Sequence, residues 1–155
     1  MKRILMVCLG NICRSPMAEG ILKKRIAASG IQALVDSAGT SAWHQGEAPD
    51  ERAIEICLKY GTDIRKQRSR PFTRDDFSRF DMILAMDREN RRNVLALART
   101  PEERSKVSLI MELVHPGREV EVPDPWYGNG DGFERVYRML DEAAGCLVAE
   151  IGQQK

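Results

Sequence analysis

Short apolar runs alternate with amphipathic stretches along the chain, and this alternation constrains the fold more than any other feature of the sequence. The runs at positions 3–7, 33–35, 80–86 and 107–110 have the length of buried strands. Segments with apolar residues three and four positions apart separate them, which is typical of helices. Strands joined through helices pair in parallel, so the pattern predicts an α/β fold with a mostly parallel sheet and helices on both faces.

Start and stop signals place several helices within this pattern. Ser15 before Pro16 predicts that the first helix begins there with Ser15 as its N-cap, and Gly30 predicts its end. A second helix is expected to begin at Pro49, and Asp87 is expected to cap another. The last helix carries the clearest apolar stripe, formed by Phe133, Val136, Tyr137, Leu140, Ala144, Leu147, Val148 and Ile151.

Length and charge exclude several classes of protein. A chain of 155 residues with no repeat or linker predicts one domain, and its net charge of +1 disfavours a general nucleic-acid binder. No apolar stretch approaches the ~20 residues that span a bilayer, so no membrane partner is expected. The apolar run after Lys2 and Arg3 is too short for a signal peptide, and a cytoplasmic location is therefore predicted.

Four cysteines are too few to form a disulfide framework in a chain of this length. Their spacing lacks the paired cysteines of a zinc site, and His44 and His115 lie far apart in sequence, so no metal or cofactor is expected. In a reducing compartment an unusual cysteine is more often catalytic than structural. Cys8 and Cys13 therefore become the candidates for chemistry.

The segment from Cys8 to Ser15 has the form Cys-x5-Arg-Ser and lies between an apolar strand and a helix start. Such a loop can point its backbone N–H groups at an anion, and the helix N-terminus adds partial positive charge. Gly10 and Asn11 tolerate left-handed backbone angles. The planar fork of Arg14 can hold two phosphate oxygens, so the loop is predicted to bind phosphate.

Cys8 lies at the base of this predicted cradle. The backbone dipoles, the helix terminus and Arg14 all favour its thiolate, which is the nucleophilic form of cysteine. Ser15 is expected to hydrogen-bond the sulfur and help it to depart. The alternative for Cys8 is a buried, inert thiol at the end of a strand.

A phosphocysteine route needs a general acid for the leaving oxygen, and Asp124 is the best distant candidate. Pro123 and Pro125 flank it and keep the segment out of a helix. The alternative is a turn aspartate with packing aromatics beside it. The glycine-rich run at 128–132 lacks the preceding strand of a dinucleotide site and is interpreted as a turn before the last helix.

The segment from Val7 to Glu19 resembles the signature of the low-molecular-weight protein tyrosine phosphatases. The resemblance continues, in the order found in the family, through 36–40, Trp43, Gly46, 49–52, 86–87 and 124–125, and so covers essentially the whole chain. It implies one domain over residues 1–155, with a four-stranded parallel sheet and a phosphate-binding loop between the first strand and the first helix.

The resemblance also implies a reaction and its residues. Phosphotyrosine and small aryl phosphates would be hydrolysed through a cysteinyl-phosphate without metal, with Cys8 as nucleophile, Arg14 as phosphate ligand, and Asp124 as general acid and then base. The loop would comprise Leu9, Gly10, Asn11, Ile12, Cys13 and Ser15, with Ser37 in support. The substrate ring would lie between Leu9, Ile12, Trp43, Trp126 and Tyr127.

Cys13 and one departure from the family pattern concern regulation, and a second departure concerns structural hydrogen bonding. In members with two loop cysteines, the one at the position of Cys13 can form a reversible disulfide with the nucleophile and prevent over-oxidation; the alternative is a small apolar loop residue. Trp126 stands where animal members often have a phosphorylatable tyrosine. The basic stretch 65–70 lacks a histidine that many relatives carry, and it is interpreted as a solvated loop or as a surface that steers acidic partners.

Two other functions remain open at this point. A thiol-dependent arsenate reductase on the same fold needs further thiols, and 58–145 contains no cysteine. A non-catalytic phosphopeptide-binding module would not need Cys8 or Asp124. The expected partner is a phosphotyrosine-containing protein, with a tyrosine kinase as one candidate, and the expected assembly is a monomer or weak dimer.

Overall fold

A computed structural model describes residues 1–127 and 131–153, with Tyr127 described by its backbone only. The strands are β1 (Lys2–Cys8), β2 (Ala33–Gly39), β3 (Met82–Ala85) and β4 (Val107–Leu109). The helices are α1 (Arg14–Ser29), α2 (Glu51–Lys59), α3 (Asp76–Arg79), α4 (Arg88–Leu95), α5 (Pro101–Ser105) and α6 (Asp131–Gln153). Short 3-10 turns occupy Ile110–Leu113 and Pro125–Tyr127.

The four strands form one parallel sheet, as the resemblance implied, and their order is β2-β1-β3-β4. β1 lies at the centre, with Cys8 paired to Gly39 of β2 and Val7 paired to Ala85 of β3. Because all strands run in one direction, their carboxyl ends meet at one edge of the sheet. The loop that follows Cys8 therefore starts at the edge where ligands bind in open parallel sheets.

Helices cover both faces of the sheet, which confirms the predicted layers. Ile4 and Met6 of β1 face the larger core cluster, to which α1, α2 and α6 contribute. Leu5 and Val7 face a second cluster on the opposite side, formed with side chains of α3, α4 and Phe80. All four β1 side chains are buried, and each contributes roughly 1.5–3 kcal/mol by burial.

The predicted helix signals are confirmed at three positions. Gly30 ends α1 in the left-handed conformation, at a φ of 74°. Asp87 caps α4 by accepting the N–H of Asn90 at 2.8 Å. The apolar stripe of α6 packs into the larger core with every predicted member buried except Val148, which is half-buried.

Several predicted boundaries are wrong. β2 continues to Gly39, because its backbone pairs with β1 as far as Cys8 despite the polar side chains at 36–37. β3 is shorter than 80–86, and Phe80 instead ends α3 and packs into the second core cluster. α2 begins at Glu51 rather than Pro49, since Asp50 is its N-cap.

The prediction that Ser15 caps α1 is also wrong. The helix begins at Arg14, and Cys13 occupies the N-cap position without a side-chain capping bond. The Ser15 side chain points back into the loop and contacts Cys8 and Asn11 instead. The backbone N–H groups at this helix terminus are thus left without a capping side chain, which is what an anion site at a helix terminus requires.

Gly39 allows β2 to approach the loop after Cys8 closely. A Cβ atom at this position would lie 2.8 Å from the carbonyl oxygen of Leu9 and 3.1 Å from the carbonyl carbon of Gly10. Both neighbours are backbone atoms, so they can give way only if the loop itself moves.

We expect Gly39→Ala to lower the free energy of unfolding by roughly 1–3 kcal/mol through overpacking, and to weaken binding of inorganic phosphate. Denaturant unfolding and the inhibition constant of phosphate measure the two effects. Gly152→Ala is the control, because nothing lies within 4 Å of a Cβ there. Wild-type stability and phosphate affinity in Gly39→Ala would contradict the close approach.

Candidate active site

The loop between β1 and α1 turns sharply at Asn11, which adopts a φ of 55°. Left-handed geometry was predicted for this pair of residues, and Asn11 adopts it whereas Gly10 does not. A Cβ at Gly10 would lie 3.0 Å from Cδ2 of His44, so a larger residue there would require this side chain to shift. The backbone of the loop is held by Ser69, whose hydroxyl donates to the Gly10 carbonyl at 3.0 Å.

Behind the loop, a chain of buried polar groups leads from a carboxylate toward the cysteine. Glu19 accepts the hydroxyl hydrogen of Ser37 at 2.6 Å and a hydrogen bond from Lys23 at 2.6 Å. Since the only Ser37 hydroxyl hydrogen goes to Glu19, the Ser37 oxygen accepts from Nδ2 of Asn11 at 2.9 Å. Oδ1 of Asn11 accepts the backbone N–H of Arg70 at 3.0 Å, which fixes the orientation of the amide.

The same amide sets the role of Ser15. Nδ2 of Asn11 also donates to the Ser15 hydroxyl oxygen at 2.8 Å, so the hydroxyl hydrogen of Ser15 is available for another acceptor. Sγ of Cys8 lies 3.0 Å away, whereas the carbonyl of Ala38 is at 3.5 Å. The arrangement therefore directs a hydroxyl donor at the sulfur.

Arg14 is only 3% exposed and its charge is matched by fixed acceptors. Nη1 donates to Oδ2 of Asp87 at 2.7 Å and to the carbonyl of Val122 at 3.0 Å. Burial by itself lowers the pKa of Arg14, but Cys8 and Asp87 outweigh burial and raise it. The guanidinium therefore stays charged at the mouth of the loop.

Asp124 is brought to this site because the nearby Val122 is anchored just after β3, where its N–H donates to the Met86 carbonyl at 2.9 Å. Oδ2 of Asp124 lies 3.8 Å from Nη2 of Arg14, and Oδ1 accepts the N–H of Trp126 at 3.0 Å. Asp124 lines the same pocket as Cys8. The structure thus brings together two residues that are 116 positions apart in the sequence.

The pocket has a volume of about 140 Å³. Its floor is the loop and its mouth carries two aromatic side chains, Trp43 at 80% exposure and Trp126 at 41%. The lining residues are Cys8, Leu9, Gly10, Ile12, Cys13, Arg14, Trp43, His44, Asp124 and Trp126. The predicted contribution of the Tyr127 side chain lies outside the described residues.

Three residues near the site, His44, Glu19 and Arg70, were not assigned a role in it. Asp87 was predicted to lie at the same edge of the sheet as Cys8 and to cap a helix, but its ion pair with Arg14 was not predicted. His44 lines the pocket with its ring centroid 6.1 Å from that of Trp126. Glu19 and Arg70 act from behind the loop, and no spacing pattern in the sequence reveals such contacts.

The basic stretch 65–70 is more heavily paired than a solvated loop. Arg70 forms ion pairs with Asp36 and with the fully buried Asp76, both at 3.0 Å. Arg65 pairs with Asp63 at 2.9 Å. The loop contacts of Ser69 and Arg70 anchor the site in a chain that lacks the histidine of many relatives.

The remaining cysteines differ in their environments. Burial raises the pKa of Cys57 to about 12, and burial together with Asp50 raises the pKa of Cys13 further. Cys13 lines the pocket, and its role as a disulfide partner of Cys8 stays a prediction. Cys146 is half-buried on α6.

Metal-binding clusters and membrane-spanning helices are both absent from the part of the chain that the structure describes. Across 1–127 and 131–153, no group of three or more histidine, cysteine, aspartate and glutamate side chains is placed to hold a metal ion. In the same part of the chain no helix combines the length and apolarity that crossing a membrane requires.

Comparison with known proteins gives full-length similarities. Residues 3–155 match the family described as low molecular weight phosphotyrosine protein phosphatase. A protein of that name from Schizosaccharomyces pombe is 43% identical, over 89% of each chain. The crystal structure of a protein tyrosine phosphatase from Entamoeba histolytica is similar with a TM-score of 0.92 and 35% identity, over 99% of each chain. An arginine phosphatase from Drosophila is similar with a TM-score of 0.89 and 32% identity, over 97% of each chain.

Alkylation should distinguish the cysteines of the native protein. At about pH 8 we expect iodoacetamide to modify Cys8, with inorganic phosphate protecting it, and to leave Cys57 unmodified because roughly 10⁻⁴ of a thiol with a pKa of about 12 is ionised. Peptide mass mapping measures this, and alkylation in denaturant serves as the control that labels all four. Equal labelling of Cys57 and Cys8, or no protection by phosphate, would contradict the assignment.

Proposed function

The chain belongs to the low molecular weight phosphotyrosine protein phosphatase family, and from this premise we propose how its residues carry out the reaction. The proposal is that Cys8 forms a cysteinyl-phosphate, that Arg14 binds the phosphoryl group and that Asp124 is the general acid and base. The observation that carries it is the convergence of these three side chains on one pocket at the start of a helix.

In the first step the Cys8 thiolate attacks phosphorus from the base of the loop. The bond between phosphorus and the phenolic oxygen breaks as the bond between sulfur and phosphorus forms. Asp124 gives its proton to the departing oxygen, because a phenoxide is a poor leaving group. Arg14 and the N–H groups of the helix terminus stabilise the charge on the phosphoryl oxygens.

In the second step water attacks the phosphorus of the cysteinyl-phosphate. The Asp124 carboxylate, now without its proton, accepts a proton from that water. The bond between sulfur and phosphorus breaks, and inorganic phosphate leaves. The hydroxyl of Ser15 supports the sulfur as it regains negative charge, because its hydrogen is directed at Sγ from 3.0 Å.

The walls of the pocket favour an aromatic phosphate ester. Ile12 and Leu9 line it close to the loop, and Trp43, His44 and Trp126 line it farther out. These side chains can pack on the faces of a flat ring, whereas a phosphoserine side chain is too short to fill the space between them. We therefore infer that phosphotyrosine-containing proteins are the substrates.

The two alternatives fit the site less well. An arsenate reductase passes its oxidation to further thiols. Cys13 lines the pocket beside Cys8, but Cys57 is fully buried in the core and Cys146 does not line the pocket, so a relay through Cys13 has no further thiol to continue it. A phosphopeptide-binding module would bind its ligand with Arg14 and the loop alone. The hydroxyl directed at Cys8 and the carboxylate of Asp124 have no use in simple binding.

Hydrolysis of phenyl phosphate in the presence of EDTA tests the mechanism. We expect full activity in EDTA, no turnover for Cys8→Ser, and a loss of ~10²–10⁴-fold for Asp124→Asn. Cys146→Ser is the matched control and should retain wild-type activity, since Cys146 does not line the pocket. Turnover by Cys8→Ser would falsify the cysteinyl-phosphate route.

A set of phosphopeptides with one common sequence tests the substrate class. We expect kcat/KM to be highest for the phosphotyrosine peptide, because only its ring reaches from the loop to Trp43 and Trp126. The phosphoserine peptide serves as the control for the phosphoryl group alone. A preference for a phosphoarginine peptide, the chemistry named for the similar Drosophila protein, would overturn the assignment.

A further inference from the structure

We propose that Arg52 is a positioning residue that holds Asp124 in place for proton transfer, an inference that rests on the proposed role of Asp124 as general acid. Arg52 lies on α2 and is not among the side chains that line the pocket of Cys8. It connects α2 to the segment 122–127, which we call the acid loop.

Asp50 fixes the conformation of the Arg52 side chain through hydrogen bonds. The Asp50 carboxylate accepts the backbone N–H of Arg52 at 2.8 Å, its Nε at 3.1 Å and its Nη2 at 3.1 Å. Asp50 is itself tied to the phosphate-binding loop, because its N–H donates to the carbonyl of Ile12 at 2.8 Å. The guanidinium plane is thus held relative to the loop that carries Cys8.

The fixed guanidinium contacts the acid loop and the start of α6. Its Cζ lies 5.2 Å from the ring centroid of Trp126 and 4.8 Å from that of Phe133, which are cation–π distances. Nη1 lies 3.4 Å from the carbonyl oxygen of Trp126. Arg52 therefore holds Trp126 through both its ring and its backbone.

Asp124 lies between two held points of the acid loop. On one side Val122 is fixed by its hydrogen bonds with Met86 and Arg14. On the other side Trp126 is held by Arg52, and the N–H of Trp126 donates to Oδ1 of Asp124 at 3.0 Å. Releasing Trp126 would free the carboxylate on that side, and a displacement of about 1 Å is enough to impair a positioned catalytic group.

Arg65 provides a matched control within the same chain. Asp63 accepts the backbone N–H of Arg65 at 3.0 Å, its Nε at 3.0 Å and its Nη2 at 2.9 Å, the same local arrangement as Asp50 and Arg52. Among the described residues, no hydrogen bond or ion pair joins the Arg65 side chain to the acid loop; its side chain pairs with Asp63. The two arginines thus differ in the feature that the proposal needs.

The experiment compares kcat/KM for two aryl phosphates with different leaving groups. Phenol has a pKa near that of tyrosine, about 10, and its departure needs a proton, whereas 4-nitrophenolate leaves readily without one. The quantity kcat/KM covers the steps up to departure of the phenol. A simple loss of folded enzyme lowers kcat/KM for both esters equally, so the ratio between them reports on acid catalysis alone.

For Arg52→Ala we expect kcat/KM for phenyl phosphate to fall by about 10- to 100-fold, with a much smaller loss for 4-nitrophenyl phosphate. Asp124→Asn should change the ratio in the same direction and by more. Arg65→Ala should leave the ratio at the wild-type value.

Two results would separate failure of this inference from failure of the proposed function. If Asp124→Asn changes the ratio and Arg52→Ala does not, Arg52 does not position the acid, although the mechanism holds. If Asp124→Asn leaves the ratio unchanged, Asp124 is not the general acid and both proposals fail. An equal change in Arg65→Ala would also overturn the inference, because a general charge effect would then explain it.

Discussion

The buried charge of Arg14 is the constraint on which the site depends. A guanidinium that is 3% exposed is costly unless fixed acceptors surround it, and here Asp87 and the Val122 carbonyl supply them. Asp87 lies at the start of α4, and Val122 lies in the acid loop. Because its charge is paired with both, Arg14 links the loop after β1 to the edge of the sheet and to the acid loop. Its guanidinium is directed toward the pocket.

A second set of contacts lies behind the loop and fixes the directions in which its hydroxyl groups donate hydrogen bonds. The buried Glu19 carboxylate accepts a hydrogen bond from the Ser37 hydroxyl, and the backbone N–H of Arg70 fixes the orientation of the Asn11 amide. Together they leave the hydroxyl hydrogen of Ser15 for the sulfur of Cys8. Preorganised donors of this kind need no rearrangement during a reaction, which is how electrostatic catalysis gains most of its effect. The role proposed for Arg52 extends the same principle to the acid loop.

The sequence predicted the layers of the fold better than it predicted where the individual helices and strands begin and end. Periodicity identified the central strands and α6, because burial on one face leaves a regular pattern. It misplaced the start of α1, since Ser15 looks like a cap but is used inside the loop. It also missed α3 and α5, which are only four and five residues long and leave too short a pattern to recognise.

The sequence by itself determined the parallel α/β fold, the position of the loop after β1 and the residue types from which phosphate binding there is predicted. These follow from local patterns, in which spacing along the chain reports directly on structure. Only the tertiary structure decided that Asp124 lines the same pocket as Cys8, that Asp87 pairs with Arg14 and that Arg52 contacts the acid loop. Such contacts join segments far apart in sequence, and their geometry depends on how helices and strands pack, which no local pattern encodes.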